Sequence, residues 1–408
     1  MKTRAEAGSG RDKPALSTAE FVALIAMTFA LIAFSTDAML PAFPSMGAEL
    51  AAQDPNRISL VISVFMVALG VGTFLAGPFA DTYGRKPVVI GGVALFILGS
   101  LISYYAVSLE TLLAGRFLQG LGAAGPRIAP LAMVRDLYEG RRMAQITSFI
   151  MTVFMLVPAV APYCGSLIIG ALGWRAVFAA FILFAVLVAL WMTIRQPETL
   201  HPEFRRPLRL AEVTGAAKEV ALNRDVLLYS AVLSLGFAEL LAVISSIQPV
   251  YDVYFGKVES FPLWFALGAL VAATGTIFNA VLVMSLGMRR LALTAIAVKL
   301  AFTAVALVVM KGELLTGTAG FAFWFIWSTS IFFFAGLVFG NLNALALRPL
   351  GHIAGTAASL ITGVSTVVAA LITIPIGLAF DGTPVPLVFG NLCCSVLAYA
   401  LMRRTIDD

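Results

Sequence analysis

The sequence predicts an all-α membrane protein of twelve transmembrane helices arranged as two pseudo-symmetric six-helix bundles. Three observations carry that expectation. Of 408 residues, 60% are hydrophobic and only 12% charged, against roughly 25% charged in a typical soluble domain, which leaves too little charge to coat a water-facing surface. Apolar runs of the ~20 residues that a helix needs to cross a bilayer recur along the chain, as at 21–40, 88–107, 177–194 and 291–310. The longest polar stretch, 196–224, falls near the middle and divides the runs evenly. A transmembrane barrel is disfavoured by the same runs, because its strands would read as alternating segments of about ten residues.

In chain order, residues 1–19 form a polar leader carrying Lys2, Arg4, Arg11 and Lys13. The apolar run behind it is too long for a signal-peptide core and lacks a small-residue cleavage site, which makes it a retained first span. Gly, Pro and charge then punctuate spans at 20–42, 57–80, 87–107, 110–134, 143–171 and 174–195, which compose an N-terminal bundle over 20–195. A linker, 196–224, holds Arg205, Arg206, Arg209 and Lys218. Spans at 225–250, 260–287, 289–310, 318–347, 353–380 and 384–402 form the C-terminal bundle over 225–402, and 403–408 is a short tail. Six spans on each side of a central linker is the layout of transporters built from internal repeats.

Orientation follows from the positive-inside rule. With the N-terminus inside, 20 of the 27 Lys and Arg residues fall in inner segments and four (Arg57, Arg175, Lys257, Lys311) in outer loops. Both termini are then cytoplasmic, in a cell inner membrane. One missed span would scramble the asymmetry, so the pattern also supports the count of twelve.

Several function classes are set aside at this stage. The net charge of +5 is explained by topology and calls for no nucleic acid. The three cysteines, Cys164, Cys393 and Cys394, lie in apolar runs and read as buried, inert thiols instead of a disulfide framework or metal site. There is no His/Cys/carboxylate metal cluster, no Gly-Lys-Ser/Thr phosphate loop and no nucleophile elbow. The expectation is therefore a monomeric non-enzyme without metal or cofactor, driven by a proton gradient or by its substrate's own gradient.

Between spans 2 and 3 lies Gly77-Pro-Phe-Ala-Asp-Thr-Tyr-Gly-Arg-Lys-Pro87. Gly84 permits a left-handed backbone there, and Asp81 and Arg85 sit close enough for a charge-assisted contact. The string resembles the signature loop of the major facilitator superfamily, and the resemblance implies that Asp81 clasps the ends of neighbouring helices and stabilises an outward-open state. Leu112-Leu-Ala-Gly-Arg-Phe-Leu-Gln-Gly-Leu-Gly-Ala-Ala124 looks like the superfamily's second motif, with Arg116 its buried arginine. Pro158-Ala-Val-Ala-Pro-Tyr-Cys-Gly165 is similar to the Pro/Gly-rich motif of proton-coupled antiporters. There Pro158 and Pro162 kink the span, and small residues such as Gly165 let helices approach. Ser35-Thr-Asp-Ala-Met-Leu-Pro-Ala-Phe-Pro44 and Arg135-Asp136-Leu-Tyr138 together resemble the bicyclomycin-resistance (Bcr/CflA) type of drug:proton antiporter. The resemblance implies the major facilitator fold, protons and a small amphipathic or apolar compound as its partners, and alternating access. A dedicated carrier of one metabolite or siderophore is the alternative.

Ionisable groups at bilayer depth are expensive, and each is by default a functional-site hypothesis. The candidates are Asp37, Arg116, Arg127, Glu239 and Lys299. At about 1.5 Å per residue, Asp37 lies about 25 Å and Arg116 about 27 Å from the inner ends of their spans, so the two can pair. Arg127, eleven residues beyond Arg116, returns to the same helix face. Glu239 reads as a second proton site, a contact for a cationic drug, or a packing hydrogen bond. The resemblance to the major facilitator fold implies that Lys299 lies at the bundle periphery, where its stem can snorkel. Phe34, Met39, Tyr251 and Arg127 are assigned to a substrate cavity, and the fold resemblance implies that Asn279, Asn341 and Asn343 fall in spans around it, where each can bridge helices as readily as bind substrate. The Tyr251–Phe255 and Trp324–Trp327 clusters also fit interfacial belts.

Overall fold

The computed structural model describes residues 16–405 apart from Arg206 and Arg209. The leader cations Lys2, Arg4, Arg11 and Lys13, and the linker's Arg206 and Arg209, lie outside the described residues. Among the described residues there is no strand, and twelve helices have 18 residues or more. The first six are α1 (Thr18–Asp37), α2 (Leu60–Tyr83), α3 (Arg85–Tyr104), α4 (Leu109–Leu137), α5 (Gly140–Leu172) and α6 (Arg175–Arg195). The second six are α7 (Arg224–Pro249), α8 (Phe261–Leu286), α9 (Met288–Lys311), α10 (Gly317–Leu347), α11 (Ala354–Leu378) and α12 (Val385–Met402). Eleven of them fall in stretches long and apolar enough to cross a membrane, α10 and α11 sharing one. The twelfth, α4, is less apolar because it carries Arg116, Gln119, Arg127, two prolines and several glycines.

Side-chain caps start three of the helices: Ser17 accepts from Glu20 N at 3.2 Å, Ser108 from Thr111 N at 3.2 Å, and Asn223 from Val226 N at 3.1 Å. The first span differs from the expected 20–42. α1 stops at Asp37, a short 3-10 turn follows at Leu40–Ala42, and a separate helix runs over Phe43–Leu50. Pro41 and Pro44 lack the N–H groups that would have carried α1 onward, and the break leaves Asp37 at a helix terminus. A helix of 33 residues, α5, extends about 50 Å, more than the ~30 Å hydrocarbon core, so it is long enough to cross even when tilted. It remains one helix despite Pro158 and Pro162, since bonds lost to proline inside a bundle are re-satisfied by neighbours.

The two halves repeat one packing scheme six helices apart. α1 packs on α5 as α7 packs on α11, α2 on α4 as α8 on α10, and α3 on α6 as α9 on α12. The halves meet through a symmetric pair of contacts, α2 with α11 and α5 with α8. Absent side chains set the close crossings. A Cβ on Gly120 would lie 2.2 Å from Phe65 O in the first half, and one on Gly275 would lie 2.3 Å from Phe333 O in the equivalent crossing of the second. Between the halves, Gly70 and Gly363 face each other, each Cβ position about 3 Å from the other's carbonyl.

Three expectations about side chains are corrected. Trp324 and Trp327 are fully buried and Tyr251 is 1% exposed, so neither cluster is an interfacial belt. After α7 a π-helical turn, Val250–Tyr254, carries Tyr251 inward. There it packs edge-on against Phe261 and Phe321 at 5.3 and 5.5 Å, the geometry that aromatic quadrupoles favour. Trp327 donates its ring N–H to Thr303 Oγ1 at 3.3 Å. Of the cysteines only Cys394 is buried; its neighbour Cys393 points out of the bundle.

Candidate functional site

Asp37, at the C-terminal end of α1, is 6% exposed. Among the described residues its carboxylate makes no hydrogen bond or ion pair. The adjacent hydroxyls do not serve it: Ser35 Oγ and Thr36 Oγ1 both turn back to Ile32 O, at 2.8 and 3.1 Å. At the residue after Asp37, α5 crosses so closely that a Cβ on Gly165 would lie 1.9 Å from Ala38 O. Gly165→Leu is expected to force α5 away and to cost about 1–3 kcal/mol through overpacking, read as a lower unfolding midpoint in detergent.

Arg116 is completely buried on α4. Its Nε donates to Val61 O at 3.2 Å and its Nη1 to Ser35 O at 3.4 Å. Nη1 also donates to Gln119 Oε1, and Gln119 Nε2 donates in turn to Ser100 Oγ at 2.8 Å. The guanidinium stands 4.3 Å from the centroid of Phe65, within range of a cation–π attraction. The expected ion pair between Arg116 and Asp37 is therefore not made in this conformation. Backbone carbonyls and Gln119 occupy the guanidinium instead, although it reaches α1 only two residues before Asp37. Its Nη2 is left without a partner among the described residues.

The residues assigned to a substrate cavity are dispersed. Met39 is fully buried in the core. Phe34 packs edge-on against Phe181 and Phe184 of α6 at 5.6 and 5.7 Å. Met39 and Tyr251 are thus committed to packing, a correction to their expected exposure in a cavity, while Phe34 stays partly exposed. Asn341 Nδ2 donates to Asn279 Oδ1 at 2.7 Å and ties α10 to α8, while Asn343 caps back to Phe339 O at 3.1 Å. Arg127 keeps a buried Nη1 with no partner among the described residues.

In the second half, Lys299 is 5% exposed and Glu239 fully buried. Lys299 is paired directly with Glu239 Oε2, and Ser395 Oγ donates to Oε1 at 2.7 Å. The expectation that Lys299 is peripheral is thus overturned: its ammonium points into the bundle and joins α9 to α7 and α12. Ser395 was not legible, because it lies 156 residues from Glu239.

The Gly77–Pro87 loop forms a second charged centre at the ends of α2, α3 and α4. Arg85 Nη1 meets Asp81 Oδ1 at 2.5 Å and its Nε meets Asp136 Oδ2 at 3.1 Å. Gly84 has φ +110°, a region that side chains avoid. Gly77 lies against Ser359 of α11, its Cβ position 3.1 Å from Ser359 Oγ, while Arg135 turns outward. Sequence reasoning missed Glu198, just after α6. Its carboxylate accepts from the backbone N–H groups of Arg85, Thr199 and Leu200, each at 2.9 Å, and of Lys86 at 3.1 Å. An acid beside the unsatisfied N–H groups of a helix start is doubly favoured; the Glu directly after the Arg195 end of α6 was the available signal. Glu198→Ala is expected to lower stability by about 1–3 kcal/mol, since four donors lose one acceptor; thermal unfolding in detergent measures it.

Comparison with known proteins accords with this arrangement. The chain is 29% identical over 392 residues, 94% of its own length and 96% of the relative's, to a bicyclomycin resistance protein homolog of Haemophilus influenzae. It is 30% identical to the multidrug resistance protein MdtL of Salmonella heidelberg over 210 residues, 52% of each chain. In three dimensions it resembles the crystal structure of a D-xylose–proton symporter with a TM-score of 0.75, at 14% identity, over 95% of this chain and 98% of that one. The family model described as the Major Facilitator Superfamily matches residues 25–373, and with twelve helices in two repeated bundles the chain belongs to that superfamily.

Proposed function

We propose that this chain is a proton-coupled exporter of small amphipathic or apolar compounds, working by alternating access as a monomer in the inner membrane, with both termini cytoplasmic. The observation that carries the reading is Asp37: a carboxylate buried at a helix terminus and without a partner among the described residues, where a charge is costly unless it is paired or neutralised. In the proposed cycle Asp37 takes a proton from the outer side. Release to the inner side accompanies a shift in which Arg116 turns its free Nη2 toward the carboxylate. Glu239 acts as a second acid in the other half, and Arg127 with Asn279 and Asn341 contributes polar groups to the substrate path.

The charged centre around Arg85 then lies on the cytoplasmic face, where the bonds among α2, α3 and α4 make the first bundle move as a body. Relatives named for bicyclomycin and multidrug resistance support drugs as the substrate class. A dedicated exporter of one metabolite or siderophore shares the same machinery and would show a narrow profile in a compound panel.

The deciding experiment uses the purified chain in proteoliposomes with an imposed pH gradient. Uphill movement of a panel compound, with proton release from the detergent-solubilised protein when that compound binds, is the expected result. A chain that moves no compound under any gradient would overturn the proposal.

A further inference from the structure

We infer that the cleft between the two bundles at the Asn56 end is a second ligand site, which takes an amphipathic organic cation bearing a hydrogen-bond acceptor and, when filled, holds that end closed. The cleft encloses about 310 Å³. Its walls come from both halves, with Phe43 and Ile58 from the first and Gln248, Asp252 and Phe380 from the second. Gln248 is 2% and Ser246 3% exposed, and among the described residues neither Gln248 Nε2 nor Ser246 Oγ has a hydrogen-bond partner. Both residues are among those lining the cleft, so a ligand with a carbonyl or ether oxygen that draws these side chains toward it would satisfy donors that the protein leaves unpaired. Asp252 is the sole ionisable side chain among the lining residues. It makes no ion pair or hydrogen bond among the described residues, which selects a cation. The aromatic and aliphatic remainder of the wall suits an apolar body.

The site also couples to conformation. Asn56 of the first half donates to Leu378 O and Phe380 O of the second at 3.1 and 2.6 Å. Ser59 closes on Gly377, whose Cβ position lies 2.8 Å from Ser59 Oγ. These contacts exist only while the bundles meet at this end. A ligand touching both walls binds that state alone, and by linkage it shifts the population toward it. The predicted consequence for transport, inhibition from the outer side without competition at Asp37, rests on the alternating-access reading above; the binding itself does not.

The probe is N-ethyl-lidocaine, a membrane-impermeant quaternary ammonium with an amide carbonyl and an aromatic ring, titrated against the full chain in lipid nanodiscs. Saturable binding is expected, weakened on the order of tenfold or more by Asp252→Asn and by Gln248→Leu and unchanged by Asp37→Asn. Spin labels at Gln53 and Glu259, both exposed and in opposite halves, are expected to move to the shorter of their distances when the probe is added. Gel-filtration profiles confirm that each variant is folded, and Ser246→Ala replaces any that is not. Absence of binding, equal binding by the pocket variants and wild type, or loss of binding in Asp37→Asn alone would each overturn the site. A wild-type chain that binds the probe in this way yet transports nothing overturns the transport proposal and leaves the site standing.

Discussion

Asp37→Asn is expected to abolish proton-driven export while leaving a folded protein that still binds its substrate. The substitution keeps the shape of the side chain and removes its capacity to carry a proton. The carboxylate has no hydrogen bond or ion pair to lose among the described residues, and it sits at 6% exposure. Neutralising it removes an uncompensated buried group, so the unfolding midpoint should stay level or rise. Uphill transport under a pH gradient should fall to the level of empty liposomes, and substrate-induced proton release should vanish. Downhill counterflow, which needs alternating access but no proton, should persist. Retention of uphill export by this variant would remove Asp37 from the proton path and shift attention to Glu239.

The partner expected to accompany that loss is Arg116, and here the structure refines what the residues alone suggested. Matching depths identified the two side chains as neighbours across α1 and α4. They could not show that Val61 O, Ser35 O and Gln119 would hold the guanidinium in this conformation. Gln119 stands three residues from Arg116, a spacing at which helical side chains meet, so that partner was within reach of sequence reasoning. The carbonyl of Val61, 55 residues away, was not.

The same contrast runs through the molecule. Hydropathy made eleven of the twelve long helices legible because burial in lipid demands long apolar runs whatever their neighbours are, while α4 was marked out by its Gly, Pro and charge punctuation. Hydropathy was blind to the helix Phe43–Leu50, which is too short to cross and is set off by prolines. Long-range pairings were the least visible. Fold analogy placed Lys299 at the bundle edge, yet it meets an acid 60 residues upstream. An unmatched acid in α7 and an unmatched base in α9, each at mid-span, was the signal that could have joined them, since buried charges of opposite sign seek one another. Aromatic clusters misled for a related reason: Trp and Tyr near span ends suit an interface, and only the turn after α7 shows that Tyr251 faces inward.

Lys299→Met carries the second large effect. It is expected to cost about 3–5 kcal/mol, because removing one partner of a buried pair leaves the other charge uncompensated. Among the described residues Glu239 would then retain only the Ser395 hydroxyl, at 2.7 Å, as its hydrogen-bond donor. Poor yield and a sharply lower unfolding midpoint in detergent are the expected readouts. The double variant Glu239→Gln with Lys299→Met should recover most of that stability, since exchanging a buried pair for neutral groups of similar volume is often close to neutral. A double-mutant cycle on the midpoints then isolates the interaction between the two side chains. The recovered double variant also separates clamp from coupling. If Glu239 takes part in proton movement, the protein will fold like wild type yet export uphill at a reduced rate, with fewer protons released per substrate bound. Full uphill export by the double variant would instead make Glu239 and Lys299 a fixed tie among α7, α9 and α12, and would leave Asp37 as the acid on which coupling depends.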